Sequence, residues 1–466
     1  MPPSVTRQSL PADTPHVPVA IIGAGACGLA TALMLTDAGV GCVLLERDAE
    51  PSGSTALSSG FIPAAGTRVQ RALGIVDSAE RFAADIQAKA HGTAAAHLVE
   101  AYAQNITSAL DTLQANHGLE FQLLDGFLYP GHSTYRMHCV PEKTGAGLMG
   151  RLQRAAAKAE VPILTEALVR ELWQDAQGRI EGVGVLRRNG AMEYLSCDVL
   201  ILACNGFGGN PAMVQELLPE MRDATFAGHA GNDGSAIFWA QALGARLADL
   251  GGYQGHGSWA VPQGALISWA LMMEGGIQVN ARGARFHDET QGYSEAAVHV
   301  LAQPGGIAWN VFDEPILQLA RGFPDFCEAE KAGAVKPCTD AQALAQLIGC
   351  DASALAATLC EMTQADAVGR SFKRALAAPF YAVKVTGALF HTQGGLDIDA
   401  DCRVLHQDGS PFPNLLAAGG AARGVSGNAV WGYLSGNGLL SAVAGGYIAA
   451  QTAIEVVKGM ARGLKS

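Results

Sequence analysis

The run Gly23-Ala24-Gly25-Ala26-Cys27-Gly28 constrains this chain more than any other, because glycines at this spacing dictate what can lie on either side. Before it stands a short apolar run of β type, Val19-Ala20-Ile21-Ile22. After it, residues 29–38 carry apolar side chains at helical spacing until Gly39, and Cys42-Val43-Leu44-Leu45 forms a second buried strand. Strand, turn, helix and strand make one βαβ unit. In such a unit the first glycine permits the tight turn and the second lets the backbone approach a pyrophosphate. The third lets helix and strand pack closely, and the helix N-terminus then faces the phosphates. Glu46 ends the second strand, where a carboxylate accepts hydrogen bonds from ribose hydroxyls and repels a 2′-phosphate. A dinucleotide site on Gly23, Gly25, Ala26, Gly28 and Glu46 follows.

Two distant segments select FAD as the dinucleotide. Gly53-Ser54-Thr55-Ala56-Leu57-Ser58-Ser59-Gly60 is a hydroxyl- and glycine-rich loop suited to wrapping phosphate and a flavin edge. Near the C-terminus, Asn414-Leu415-Leu416-Ala417-Ala418-Gly419-Gly420 reads as a strand ending in glycines, followed by a helix whose N-terminus could stabilise negative charge on a reduced isoalloxazine. No second fingerprint is present for NAD(P)H.

A chain of 466 residues is long enough for two or three domains, and 49% hydrophobic against 16% charged residues leaves material for a large core. Residues 1–16 read as a loose tail. Residues 17–235 and 378–466 read as one discontinuous FAD-binding domain. Residues 236–377, where the composition turns Gly/Trp-rich and then helical, read as an inserted α+β capping domain. The fold class is therefore α/β, a Rossmann-like FAD-binding domain of the glutathione-reductase type interrupted by a cap. A formal net charge of −12 argues against nucleic acid as a partner. None of the ten cysteines forms a CxxC pair, so reduced thiols in the cytoplasm are expected. The N-terminus lacks a secretory apolar region, no run of about 18 apolar residues predicts a membrane span, and no ligand cluster has metal-like spacing.

These motifs resemble the flavoproteins that include fumarate reductases and 3-ketosteroid dehydrogenases. The resemblance runs from Val17 to about Ala453 and includes Ala203-Cys204-Asn205-Gly206, Gly231-Asn232-Asp233-Gly234, Arg285-Phe286-His287-Asp288-Glu289 and His391-Thr392-Gln393-Gly394-Gly395. It implies that Arg47, Ser54, Thr55, Ser58, Ser59, Gly60, Val169, Ala203, Asn205, Gly206, Asn232 and Asp233 hold FAD. Gly419, Gly420, Gly436, Asn437 and Leu439 complete that set. The loop 53–60 has no histidine, so the resemblance implies non-covalent FAD. Fumarate reductases use an arginine as proton donor and a second one to grip a substrate carboxylate. The matching positions here are Tyr293 and Tyr433, and a tyrosine cannot replace a bidentate guanidinium. The segment Trp431-Gly432-Tyr433-Leu434-Ser435-Gly436 resembles the Δ4-type ketosteroid dehydrogenases most closely. His256 and His391 sit in contexts similar to the substrate-binding histidines of fumarate reductases.

The resemblance thus implies α,β-dehydrogenation of a ketone, either a steroid or a smaller cyclic one, with a quinone-like or other electron acceptor. Removing an α-proton requires a donor where charge develops on the carbonyl oxygen. Tyr433, assisted by a backbone N–H near Gly436, fits that role. Tyr293 is the candidate base, provided its surroundings lower a phenol's ordinary pKa near 10. Ser435 could relay the proton, while His256 and His391 orient substrate or tune Tyr293. Tyr129 and Tyr135 both stand where a loop could carry them to the substrate, and spacing does not choose between them. Arg285 is expected to pair with Glu289 rather than touch substrate. The alternatives are an ene-reductase of the fumarate reductase type, acting on an unsaturated acid or enone, and a non-catalytic flavin-binding protein.

Overall fold

The computed structural model describes residues 2–362 and 368–463. Met1 of the expected tail, and residues 363–367 and 464–466 of the expected domains, lie outside the described residues.

The fingerprint strand His16–Ile22 sits inside a nine-stranded sheet, flanked by Cys42–Leu45 on one side and Met192–Leu202 on the other, both parallel to it. At least four residues of each central strand are apolar and buried, as a parallel strand covered on both faces requires. The strand Pro411–Ala417 joins Met192–Leu202 in parallel, so the C-terminal part of the chain returns to the N-terminal sheet. The fingerprint helix Ala26–Asp37 covers this sheet together with Asn437–Gly463 and Ala96–His117. Gly446 allows the close crossing, since a Cβ there would stand 2.8 Å from the Cys27 carbonyl oxygen. Asn437–Arg462 is long and apolar enough to cross a membrane by composition alone, although the pattern of single residues predicts no span. In the fold, 67% of its most apolar window is buried.

A second sheet of seven strands has the order Ala265–Leu266, Tyr253–Ala260, Phe380–Thr392, Ile307–Asp313 and Ile277–Val279, with two short strands added along Phe380–Thr392. Its core is separate from that of the first sheet. The fold is thus a mixed helix-and-sheet one.

Two expected boundaries differ from the sheet pairing. Residues 1–16 do not form a loose tail throughout, because Ser4–Thr6 is a strand that pairs in parallel with Ala167–Gln174. Three residues are too few for periodicity to reveal. The 13-residue strand Phe380–Thr392, which the expected boundary at 377/378 assigns to the FAD-binding domain, hydrogen-bonds on both sides to strands within residues 236–377, the expected cap. Its β-branched and aromatic residues identify a strand but not the sheet it joins.

Candidate flavin and substrate site

The glycine turn is tightened by contacts that leave no room for side chains. A Cβ on Gly28 would fall 1.9 Å from the Gly23 carbonyl oxygen, and one on Gly23 would fall 2.5 Å from that of Ala203. Gly28→Ala is therefore expected to push the helix off its strand. The measured result should be protein purified with much less flavin and a melting point lowered by ~1–3 kcal/mol equivalent; normal flavin occupancy would contradict this account. Glu46 braces the turn, accepting from the Ala24 N–H at 2.9 Å and, through its other oxygen, from the Asp48 N–H at 3.0 Å. The helix starts at Gly25 without a side-chain cap, and Thr55 Oγ1 accepts from the Ala26 N–H at 3.2 Å.

A cleft runs from this turn between the two sheets and encloses about 2010 Å³, its open mouth included. Most of the expected cofactor residues line it, among them Gly23, Gly25, Ala26, Glu46 and Arg47 of the first βαβ unit and Gly419, Gly420, Gly436 and Leu439 of the C-terminal part. Ser54, Thr55, Ser58, Ser59, Gly60, Val169, Ala203, Asn205, Asn232 and Asp233 lie along its length. Ser54 Oγ gathers its neighbours, accepting from Asn205 Nδ2 at 3.1 Å and Asn232 Nδ2 at 2.9 Å. Gly28, Gly206 and Asn437 do not line the cleft. Gly28 and Gly206 serve close packing, the latter beside Thr392 Oγ1, and Asn437 turns away to donate to Ser426 Oγ at 3.0 Å.

A helix N-terminus whose N-cap residue is a glycine, a glycine cradle that a Cβ would fill and a carboxylate at the strand end fit FAD. A family model described as an FAD binding domain matches residues 18–439. The chain belongs to that FAD-binding family. FAD is its cofactor. The NADH:fumarate oxidoreductase of Klebsiella pneumoniae is 28% identical over 95% of this chain and 48% of its own length. The cytochrome-type fumarate reductase of Shewanella frigidimarina is 27% identical over 97% of the chain and 80% of its own length. The chain thus spans about half of the first relative and most of the second. The 4-oxocyclohex-2-ene-1-carboxylate 5-dehydrogenase of Sinomonas cyclohexanicum is 23% identical, covering 89% of the chain and 90% of that protein. Two solved structures share the fold at 24% identity over 96% of the chain. A flavocytochrome c3 fumarate reductase has a TM-score of 0.80 over 79% of its chain. The 3-ketosteroid Δ4-(5α)-dehydrogenase of Rhodococcus jostii RHA1 has 0.76 over 99% of its chain.

Away from the glycine turn, the cleft holds a cluster of rings, of which His256, Tyr293 and Tyr433 are buried and His391 half-buried. His256 stacks on Tyr293 with centroids 4.8 Å apart, Tyr293 lies 6.1 Å from Tyr433, and His391 lies 5.6 Å from Tyr433. Ser435 lines the same end. The Tyr433 hydroxyl accepts from the Gly438 N–H at 3.5 Å, and Gly438 has no room for a Cβ because His391 Nε2 would stand 2.6 Å from it. His256 Nδ1 accepts from the Ser258 N–H at 3.1 Å, so the proton of its neutral ring sits on Nε2.

Tyr293 opens the helix Tyr293–Leu301, which rests directly on the cap sheet where glycines meet alanines. A Cβ on Gly257 would stand 2.6 Å from that of Ala296. The loop before it is pinned by Glu289, fully buried between Arg285 and Arg370; the expected Arg285–Glu289 pairing is present. Burial pushes the Tyr293 phenol well up, against the opposing pull of Ser435. The condition set for Tyr293 as a base, surroundings that lower its phenol, is thus not met: desolvation outweighs the hydrogen bonding.

Tyr129 lines the cleft, whereas Tyr135 does not and offers its carbonyl to Gln70 Nε2 at 2.8 Å. The loop carrying both is fixed by Arg136, which is fully buried, grips Asp77 through two nitrogens at 2.7 and 2.9 Å and also binds Asp85. The same loop supplies His132, whose Nε2 donates to the Ser435 carbonyl at 3.0 Å. Trp269, Phe390 and Asp325 also line the cleft and were not anticipated. Phe390 could have been found beside His391; no local signal marks Trp269 or Asp325.

Burial pushes His256 down to about 3, and His132, His138 and His391 down to about 4. The unfolded chain protonates these histidines below about 6.5 while the folded one does not, so their contribution is complete above that pH and is lost on acidification toward 4. Each costs about 1.4 kcal/mol per pH unit across that window. Glu295, raised by burial, acts in the opposite sense. Thermal melts should fall progressively from pH 6.5 to pH 4.5, with a shallower slope in His391→Gln. A flat profile would count against buried neutral histidines.

Proposed function

We propose that this chain dehydrogenates the carbon–carbon bond next to a ketone, a steroid or a smaller cyclic ketone. The observation that carries the reading is the buried Tyr433 hydroxyl, set against a backbone N–H among aromatic rings that include no cation. Arg47 and Lys143 are the cations lining the cleft, and they belong to the segments around Glu46 and Thr144. A carboxylate substrate would meet no guanidinium at the tyrosines, whereas a ketone oxygen needs only a donor.

Tyr433 donates to the ketone oxygen and holds the charge that develops there. Tyr293 takes the α-proton, Ser435 passes it on, and neutral His256 keeps the Tyr293 ring in place. Bound in the cleft, FAD supplies the acceptor for the β-hydrogen and its electron pair. The electrons then leave to a quinone-like acceptor. Buried, unpaired cysteines such as Cys27, Cys42 and Cys197 accord with a cytoplasmic, reducing setting.

A raised Tyr293 favours the second reading, reduction of a carbon–carbon double bond, because a protonated phenol is already a proton donor. The fumarate reductases among the relatives accord with that direction. Anaerobic mixing with saturated cyclic ketones should bleach the flavin, faster as pH rises toward the phenol range. If reduced protein is reoxidised by unsaturated acids alone, the dehydrogenation reading is lost.

A further inference from the structure

The cleft has a second aromatic wall that the chemistry above does not use. Phe61, Tyr129 and Phe323 all line it. Tyr129 lies 6.3 Å from Phe61, edge-on, and Phe127 behind them is 4.5 Å from Tyr129 and 5.6 Å from Phe323. Into this wall the cap helix Pro324–Lys331 places Asp325, which also lines the cleft. Its hydrogen bond comes from Ser59 Oγ at 3.3 Å, and among the described residues no Lys, Arg or His stands within ion-pair distance of it. The other lining carboxylates, Glu46 and Asp233, have different work. Glu46 braces the glycine turn, and Asp233 accepts from Ser235 at 2.6 Å with Arg170 at 3.4 Å.

Burial, with smaller contributions from Tyr293 and Asp325 nearby, pushes the Tyr129 phenol up, so Tyr129 stands between this wall and the reacting end. A carboxylate without a cation, beside aromatic faces, matches a positively charged group: the rings attract it by their quadrupoles and the carboxylate by its charge. A chain of net charge −12 also draws cations toward such a cleft. Burial raises Asp325, against the smaller opposing pull of its Ser59 hydrogen bond.

Resting on the ketone reading above, we propose that Asp325 with Phe61, Tyr129 and Phe323 forms a subsite for an ammonium group at the far end of the substrate. The preferred substrates are then ketones that carry a quaternary or protonated amine, and anionic ketones are disfavoured.

The test uses flavin-loaded protein and three cyclohexanones bearing trimethylammonium, tert-butyl or carboxylate at C4, the first two being equal in shape. Affinity is read from the flavin absorbance shift and bleaching from anaerobic rapid mixing. The ammonium probe should bind about tenfold more tightly than its tert-butyl isostere, and the carboxylate most weakly. Asp325→Asn should bring the ammonium to tert-butyl ratio close to one, and Asp325→Glu should keep it. A wild-type ratio at or below one overturns the proposal. So does a ratio that Asp325→Asn leaves unchanged, which would reduce Asp325 to a latch on Ser59. If Asp325→Asn does not fold, the wild-type ratio decides. A charge preference without bleaching by any probe sinks the dehydrogenation reading and leaves the subsite standing. Bleaching without a charge preference does the reverse.

Discussion

Tyr433→Phe should slow anaerobic flavin bleaching by a ketone about 10²- to 10³-fold, the loss expected when a donor to a developing oxyanion is removed. The ring is nearly fully buried and packed among Tyr293, His391 and the cap core, so phenylalanine keeps its volume and contacts. What disappears is one hydroxyl, and with it the partner of the Gly438 N–H. Flavin content and melting temperature should therefore stay near wild type while the rate falls. Tyr293→Phe should also be slow, but with a different signature: the rise of rate with pH should vanish along with the titrating phenol. Wild-type bleaching rates in both variants would remove the tyrosine pair from the chemistry.

Arg136→Met should cost about 3–5 kcal/mol of stability, since it strands charge in a dry interior. Asp77 has no exposed side-chain surface and receives two hydrogen bonds from this guanidinium; Asp85 receives another. A methionine fills part of the volume but leaves those carboxylates uncompensated. The damage should also spread to the substrate end, because residues 127–137 bring Tyr129 to the cleft and His132 to the Ser435 carbonyl. Chemical denaturation measures the first effect, and KM against kcat for the best ketone measures the second. A loss below about 1 kcal/mol would mean that water already reaches the cluster.

The flavin half of the site is legible in the sequence because its chemistry runs through the backbone. Gly23, Gly25 and Gly28 lie in one turn, and the spacing itself states how close the chain must come to the phosphates. Tyr433 and His391 are readable for a similar reason, each lying beside glycines that mark a close approach. Asp325 is not readable, because it enters the cleft from an ordinary amphipathic helix brought there by sheet pairing over long sequence distances. The ionisation of Tyr293 is hidden for another reason: it depends on burial among His256, Trp269 and Tyr433, none of which is a sequence neighbour. Phe380–Thr392 shows the same limit at the level of topology. Its β-branched and aromatic residues mark a strand, but its partners lie about 70 and 130 residues upstream, and local pattern carries no information on which partner is chosen.

That strand has a consequence for anyone wishing to transplant the substrate-recognising part of this molecule. It is the spine of the cap sheet, and its last residues deliver Phe390 and His391 to the flavin side. A graft cut at the compositional break, residues 236–377, would leave the spine behind. The excised piece would lose the middle of its sheet, and the remaining flavoprotein would display a 13-residue strand covered only where Thr225–Phe226 pairs with Ala388 and Leu389, an invitation to intermolecular pairing. Chimeras should instead exchange residues 225–392 as one cassette, carrying both flanking strands and their histidine together.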